Sequence, residues 1–379
     1  MSKVVELLEL YNPNGVFQSD LREVSSIMRG KRVTKRDVKE SGDYPVISGG
    51  ESPMGYYDTF NRDANTITIA QYGAAGYVDF QKNKFWANDV CYSILPFESV
   101  DNKYLYYTLK SKQNFIYSIR NTDAVPFSLP INTLYSIQIP LPHIKVQEEI
   151  VKILDSFTNL IDALNEELSL RQKQFEYYRE KLLTFDDKSL LKPINEIGTL
   201  FRGNGLQKKD FVDEGVGCIH YGQIYTKLGF SLSKPLTYVT KVTAKPLTKV
   251  RKGDLVIACT SENIEDVCKS VVWEGEEEIV TGGHACVLRH NENPRYIGYF
   301  FQTHQFFMQK KQYAYGAKVI DIKTEKLGEI LIPVPSLAIQ LSIVEKLDAF
   351  ESLISSLKEE IALRQKQYEY YREKLLTFD

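Results

Sequence analysis

The side chains best suited to bind a metal or attack a substrate are five histidines and five cysteines: His143, His220, His284, His290, His304, Cys91, Cys218, Cys259, Cys268 and Cys286. Their spacing assembles neither kind of site. No two cysteines form a CxxC pair, and the histidines lack metal-ligand spacing. An odd, scattered cysteine set reads as buried thiols in a reducing cytoplasm. Gly203-Asn204-Gly205 lacks the third glycine of a dinucleotide loop and reads as a turn, and no GxxxxGK[ST] phosphate loop occurs. The acidic run Glu276 to Glu278 reads as a solvated turn. The chain is therefore expected to be catalytically silent, with no metal or cofactor of its own.

What the chain does contain is a duplication. RQKQFEYYREKLLTFD at 171–186 returns as RQKQYEYYREKLLTFD at 364–379, with Phe175 replaced by Tyr368. Agreement over so long a stretch marks an internal repeat. Gln147 aligns with Gln340, an offset of 193. Apolar residues follow at Ile150, Leu154, Phe157, Ile161, Leu164, Leu168, Phe175, Tyr178 and Leu182, and at Ile343, Leu347, Phe350, Ile354, Leu357, Ile361, Tyr368, Tyr371 and Leu375. The alternating four-three spacing is that of a coiled-coil seam, with Arg171 and Arg364 as its polar positions. Each helix would extend about 50 Å at about 1.5 Å per residue. Two matching seams in one chain favour pairing with each other, antiparallel because a globular region separates them. Pro140 and Pro142, and Pro333 and Pro335, are expected to end the preceding strand and free the helix to start a few residues later.

The segments between differ. In the first, residues 4–11 suggest a short helix, 66–70, 77–80 and 90–95 strands, 104–117 a helix and 137–139 a closing strand. In the second, 218–221, 254–258, 270–273 and 285–289 suggest strands, 296–311 a helix and 330–332 the closing strand. The openings match at an offset of 173 (Arg29/Arg202, Gly30/Gly203, Lys35/Lys208), so the second region is longer by about 20 residues, and little further identity joins them. This partition gives an N-terminal helical segment (1–16), a first globular domain (17–144), a central helix (145–187), a second globular domain (188–338) and a C-terminal helix (339–379). Nearly identical rods carrying dissimilar heads suggest one assembly role performed twice and two different recognition tasks.

A formal net charge of −2 conceals an asymmetry: 147–187 and 340–379 together carry −7, leaving +5 on the rest. A modest positive excess on the heads is compatible with DNA binding. The N-terminal MSKVVELLELYNPNGV lacks the pattern of a signal peptide, and no stretch is long enough to span a membrane, so a cytoplasmic location is expected.

PNGV at 13–16, Glu23-Val24 with Arg29-Gly30, Ile-Pro-Leu-Pro and Gln147 across 139–147, and the repeated RQKQ-x-EYYREKLLTF resemble the specificity subunit of Type I restriction-modification systems. GDLVIA at 253–258 and Gly316-Ala317-Lys318-Val319 add to the resemblance, which covers essentially the whole chain. It implies an α/β fold with two target-recognition domains separated by two long antiparallel coiled-coil helices in a pseudo-two-fold repeat. Each domain would read one half of a split double-stranded DNA target. The helices would dock two modification subunits, which use S-adenosylmethionine to methylate adenine. Restriction subunits using ATP and magnesium would join that core. The chain itself lacks the Asn/Asp-Pro-Pro-aromatic segment of an adenine methyltransferase.

Reading bases needs side chains that reach base edges, and basic groups and loop amides that hold phosphates. Candidates in the first domain are Arg29, Lys31, Arg32, Lys35, Ser48, Gly49, Gly50, Gln71, Tyr72, Gly73, Asn88 and Asp89. In the second they are Arg202, Lys208, Lys209, Tyr221, Gly222, Gln223, Ser261, Glu262, Asn263, Gly282, Gly283, His284 and 315–318, with Tyr315 and Lys318. Any one of them taken alone is more often a solvated loop residue; the expectation rests on the set. On the helices, Phe157, Ile161, Leu164, Arg171, Tyr178, Phe350, Ile354, Leu357, Arg364 and Tyr371 are expected to serve partner binding. Struts of about 50 Å would space the heads by more than one DNA turn of about 34–36 Å, so an interrupted, asymmetric target is expected. A related system whose partner both cuts and methylates, and a coiled-coil scaffold with no DNA role, are the alternatives.

Overall fold

The computed structural model describes residues 2–123 and 125–378. The duplicated segments form helices Ile144–Leu182 and Leu337–Leu376, of 39 and 40 residues. The chain divides into two units: 1–165 with 359–379, and 166–358. Each therefore holds one head and a stretch of both rods. In the first, the Phe157 ring stacks on Tyr371, centroids 5.3 Å apart. In the second, Tyr178 stacks on Phe350 at 5.5 Å. The early part of one rod thus meets the late part of the other, which is antiparallel pairing.

The heads repeat one strand order. In the first, Ser25–Arg29, Cys91–Pro96, Thr66–Ala70 and Val78–Gln81 form an antiparallel sheet in that spatial order. In the second, Gly198–Arg202, Ala285–His290, Leu255–Ala258 and Ser270–Trp273 do the same, with Ser231–Leu232 added at the edge. Leu255–Ala258 is buried throughout, as its unbroken apolar run requires of a central strand. The smaller sheet has three strands in the first head, Tyr56–Tyr57, Tyr44–Ile47 and Trp86–Ala87, and five in the second. Much of the extra length of the second head lies in that enlarged sheet and the turns around it.

Some boundaries differ from expectation. Residues 104–117 form two helices, Asn102–Ser111 and Gln113–Ser118, and 296–311 likewise fall in Pro294–Phe300 and His304–Tyr313. Tyr221 begins a helix, Tyr221–Thr226, instead of ending a strand, because His220 caps it by accepting from Gly222 N at 3.2 Å. Pro140 does not end its closing strand but lies inside Gln138–Leu141, whereas Pro333 is the last residue of Leu331–Pro333. Each belongs to a two-stranded pairing, with Phe17–Asp20 and with Leu191–Pro193, where a missing N–H is tolerated at an edge.

Head and rod are joined by a repeated set of hydrogen bonds. Fully buried Gln147 accepts from Asp101 N at 2.8 Å and donates to Pro142 O at 2.8 Å. Fully buried Gln340 accepts from Asn293 N at 3.0 Å and donates to Pro335 O at 2.8 Å. The hydroxyls of Tyr104 and Tyr296 donate to Pro140 O and Pro333 O, each at 2.9 Å. Those of Tyr107 and Tyr299 donate to Asp155 at 2.7 Å and Asp348 at 2.6 Å. A cation completes each group: Lys103 on Asp155 at 2.6 Å and Arg295 on Asp348 at 2.9 Å. Burial raises the pKa of both Tyr107 and Tyr299, keeping them as donors. Buried polar groups satisfied in this way fix one docking geometry.

Candidate nucleic-acid interface

In the first head, the strand Ser25–Arg29 leads into Gly30, where the backbone crosses the loop after Trp86–Ala87. A Cβ on Gly30 would collide with the carbonyl oxygens of Ala87 and Asn88, so glycine is required there. Gly203 meets the same constraint against Gly282 O. This close approach accounts for the matching Arg-Gly pairs. Lys31 N donates to Ala87 O at 2.9 Å, and Trp86 Nε1 to Lys31 O at 2.8 Å. Arg29, Lys31 and Arg32 remain exposed on this fixed loop.

The neighbouring loops converge. Gly49 O accepts from Ala74 N at 2.8 Å, which brings Ser48-Gly49-Gly50 against Gln71-Tyr72-Gly73. Tyr72 is exposed, whereas Gln71 is 6 % and Asn88 4 % exposed. Asn88 uses its amide inside: Oδ1 accepts from Val33 N at 3.0 Å, and Nδ2 donates to Val33 O and Ser48 Oγ, both at 3.2 Å. Against the expectation of exposed loop residues, Asn88 and Gln71 are buried, and Asn88 ties the segments around Val33 and Ser48 together. Lys35 is exposed in the turn closed by Thr34 and Asp37 and is not drawn into the cluster. Arg62, unremarked in the sequence, is a main tie. Its guanidinium donates to Ser93 Oγ at 2.9 Å, Asn61 O at 2.7 Å and Arg29 O at 2.7 Å. A lone arginine in a loop carries no sequence signal of that role.

The second head gathers more of its candidates. Arg202, Tyr221, His284 and Tyr315 come together around Asp321 and Thr260, neither of which the sequence singled out. Asp321 Oδ1 accepts from the Tyr315 hydroxyl and Oδ2 from Thr260 Oγ1, both at 3.0 Å, and Arg202 lies 3.6 Å from Oδ2. Thr260 Oγ1 also bonds His284 Nδ1 at 3.1 Å. The Tyr221 ring lies between His220 and His284, with centroids 4.6 and 5.0 Å away. Burial, then Lys208 and His284, depress the His220 pKa. Lys208, Lys209 and Lys318 are exposed. Ser261 is 4 % exposed, and half-buried Gln223 accepts from His220 N through its Oε1 at 2.9 Å. Asn263 is exposed but tied to Asp266 in a turn. Asp321 carries no sequence signal of its role here, since a lone acid between loop residues reads as solvated. Among the described residues, no three His, Cys, Asp or Glu side chains stand close enough to hold a metal ion.

Phe157 packs on Tyr371 and Tyr178 on Phe350, all four half-buried, and Leu357 is 7 % exposed, so these residues build the seam. Arg171 and Arg364 bond within their own helices, to Glu167 and Gln174 and to Glu360 and Gln367. Other apolar side chains stay exposed, and they too are duplicated. Leu160 and Leu353 are each 39 % exposed, Leu170 and Leu363 59 % and 66 %, and Tyr177 and Tyr370 59 % and 58 %. Each precedes a seam residue by one position, a rotation of about 100°, and so lies on one flank. In the second unit the other flank, with Gln172, Glu176 and Arg179, forms a groove with Phe230 and Arg295 of the head. Leu170, Tyr177 and Leu353 therefore face away from their own head. Leu160, Leu363 and Tyr370 are their counterparts in the first unit.

The family profile described as "Type I restriction modification DNA specificity domain" matches residues 13–170 and 191–363. A putative type I restriction enzyme specificity subunit of Haemophilus influenzae is 29 % identical over 94 % of both chains. A type I restriction enzyme specificity subunit of Escherichia coli is 29 % identical, over 73 % of this chain and 70 % of its own. Among solved structures, an S subunit of a type I restriction-modification system from M. genitalium superposes with a TM-score of 0.63, at 17 % identity and 96 % coverage of each chain. A chain from a study of type I complex assembly superposes at 0.56, with 14 % identity, covering 96 % of this chain and 98 % of its own. With both halves matched, this chain belongs to the type I restriction-modification DNA specificity family.

Proposed function

We propose that the protein is the DNA-reading subunit of a type I restriction-modification complex. Each head reads one half of a divided duplex target, and the rods hold two copies of a modification subunit. The observation that carries this reading is the contrast between what is repeated and what is not. The buried clamp of Gln147 and Gln340, the seam and the outward apolar trios recur. Beyond the matching Arg-Gly openings and the turns that follow them, the loop sets of the two heads differ in sequence and in side-chain hydrogen bonds, Asn88 tying Val33 and Ser48 in one and Thr260 tying His284 and Asp321 in the other. A repeated surface suits a repeated partner, and dissimilar loops suit dissimilar half-sites. S-adenosylmethionine would be bound by the modification subunits, and ATP with magnesium by restriction subunits.

The rods supply the docking surface through the outward trios, since the seam residues are already occupied. Methylation mapping in cells carrying or lacking the gene tests the reading. The expected result is an interrupted, asymmetric motif methylated only when the gene is present. Exchanging the first head should alter one half of that motif and spare the other. A continuous motif, or one that persists without the gene, overturns it.

A further inference from the structure

The loop Gly282-Gly283-His284 in the second head holds a histidine in a conformation few non-glycine residues adopt, with φ 67°. The backbone there is anchored by Cys259 N donating to His284 O at 2.8 Å, yet the side chain is exposed. Its Nδ1 has one partner, Thr260 Oγ1, at 3.1 Å. That hydroxyl also meets Asp321 Oδ2 at 3.0 Å. A carboxylate only accepts, and threonine has a single hydroxyl hydrogen. The hydrogen therefore points to Asp321, and the threonine lone pair must receive its bond from His284 Nδ1–H. In a neutral imidazole with the proton on Nδ1, Nε2 carries the lone pair and is an acceptor.

Asp321 is fixed in this duty. Tyr315 donates to its other oxygen at 3.0 Å, Arg202 stands 3.6 Å away, and strand Ile320–Asp321 pairs with Thr260–Ser261. The Tyr221 ring, 5.0 Å off, limits how His284 can swing. The result is an exposed hydrogen-bond acceptor of fixed identity, set among Arg202 and Lys208 that suit backbone phosphates. In the major groove, the base groups that donate are the amino groups of adenine and cytosine; guanine and thymine offer carbonyl acceptors there.

Resting on the DNA-reading function above, we propose that His284 reads an amino-bearing base, adenine or cytosine, in the half-site of the second head, with Thr260 and Asp321 as the positioning residues that lock its tautomer. The test uses the full chain purified with its modification subunits. Bound duplexes are recovered from a pool of random-sequence DNA and sequenced. One position of the second half-site should favour an amino over a carbonyl base by about tenfold to a hundredfold, the range of a good base contact. His284→Ala should level that position and spare the other half-site. Thr260→Val, which keeps the shape and removes the hydroxyl, should do the same, while Thr260→Ser should preserve the preference. A loosened fold would not separate serine from valine in this way. If the unaltered complex selects no sequence, the DNA-reading function itself is wrong. If it selects a divided motif that His284→Ala and Thr260→Val leave untouched, or if Thr260→Ser behaves as Thr260→Val does, only the assignment of His284 is overturned.

Discussion

Phe157 and Tyr371 stack at 5.3 Å with their planes 21° apart, and the repeat reproduces the pair with its partners exchanged, Tyr178 on Phe350 at 5.5 Å and 21°. One rod supplies the phenylalanine in the first unit and the tyrosine in the second. A coupling energy of about 0.5–1.5 kcal/mol is expected for such a pair beyond its burial. A double-mutant cycle with Phe157→Leu and Tyr371→Leu, read by denaturant unfolding, should return that value. The cycle on Phe350 and Tyr178 should return the same value within error. Unequal couplings would show that the seam is not functionally symmetric.

The clamp gives a sharper contrast. Gln147→Ala leaves Asp101 N–H and Pro142 C=O unpaired in a buried site, and Gln340→Ala does the same to Asn293 and Pro335. Each orphaned buried group costs about 1–3 kcal/mol. Hydrogen exchange on each variant should show loosening confined to the altered unit, on the helix Asn102–Ser111 or on Pro294–Phe300. The conservative Gln147→Glu should not rescue, because a carboxylate cannot donate to Pro142 O.

The rods were legible because a coiled-coil seam is a periodic pattern of one residue class, and this chain writes it twice. Strand order in the heads was partly legible for a similar reason: TITIA and LVIA are short, apolar, β-rich runs flanked by turns. What escaped were interactions that join positions distant in sequence by a single polar atom. Nothing near Arg62 announces that it will bond Arg29 O, and nothing near Asp321 announces Thr260 and His284. The same limit misplaced Asn88 and Ser261: loop position suggests exposure, but only packing decides it. On the rods, periodicity marks the seam, but which flank beside it stays exposed depends on where each head packs, and that no spacing along the sequence records.

Acid should act mainly on the second head. Burial depresses the pKa of both His220 and His290, helped at His220 by Lys208 and His284 and opposed at His290 by Glu292 and Asp254. A histidine harder to protonate when folded takes up its proton first in the unfolded chain. Stability is then full above the unfolded value of about 6.5 and is lost as pH falls through it toward the lower folded values. Unfolding midpoints measured from pH 8 to pH 5 should fall at the acid end. His220→Asn, which keeps an acceptor for Gly222 N, and His290→Asn, which keeps one for Glu292 N, should each flatten the decline. A decline unchanged in the double variant would assign it to carboxylates elsewhere.

Leu170, Tyr177 and Leu353 expose apolar surface on the flank turned away from the second head, and Leu160, Leu363 and Tyr370 repeat them in the first unit. Exposed leucines at duplicated positions do nothing for the folded chain alone, so their removal should cost it little, within about 0.5 kcal/mol as for most surface changes. Loss of a docked amphipathic helix would be another matter, since such a helix is held by a few apolar anchors. Leu170→Asp with Tyr177→Asp is expected to leave the melting temperature of the isolated chain near its original value and to halve the number of modification subunits retained on co-purification. Adding Leu363→Asp and Tyr370→Asp should remove the second. Mass measurement of the assemblies distinguishes two bound copies, one and none. Retention of both copies by the fourfold variant would place the docking surface elsewhere on the rods. A chain that binds no modification subunit even unaltered would count against the proposed function and not merely against the trios.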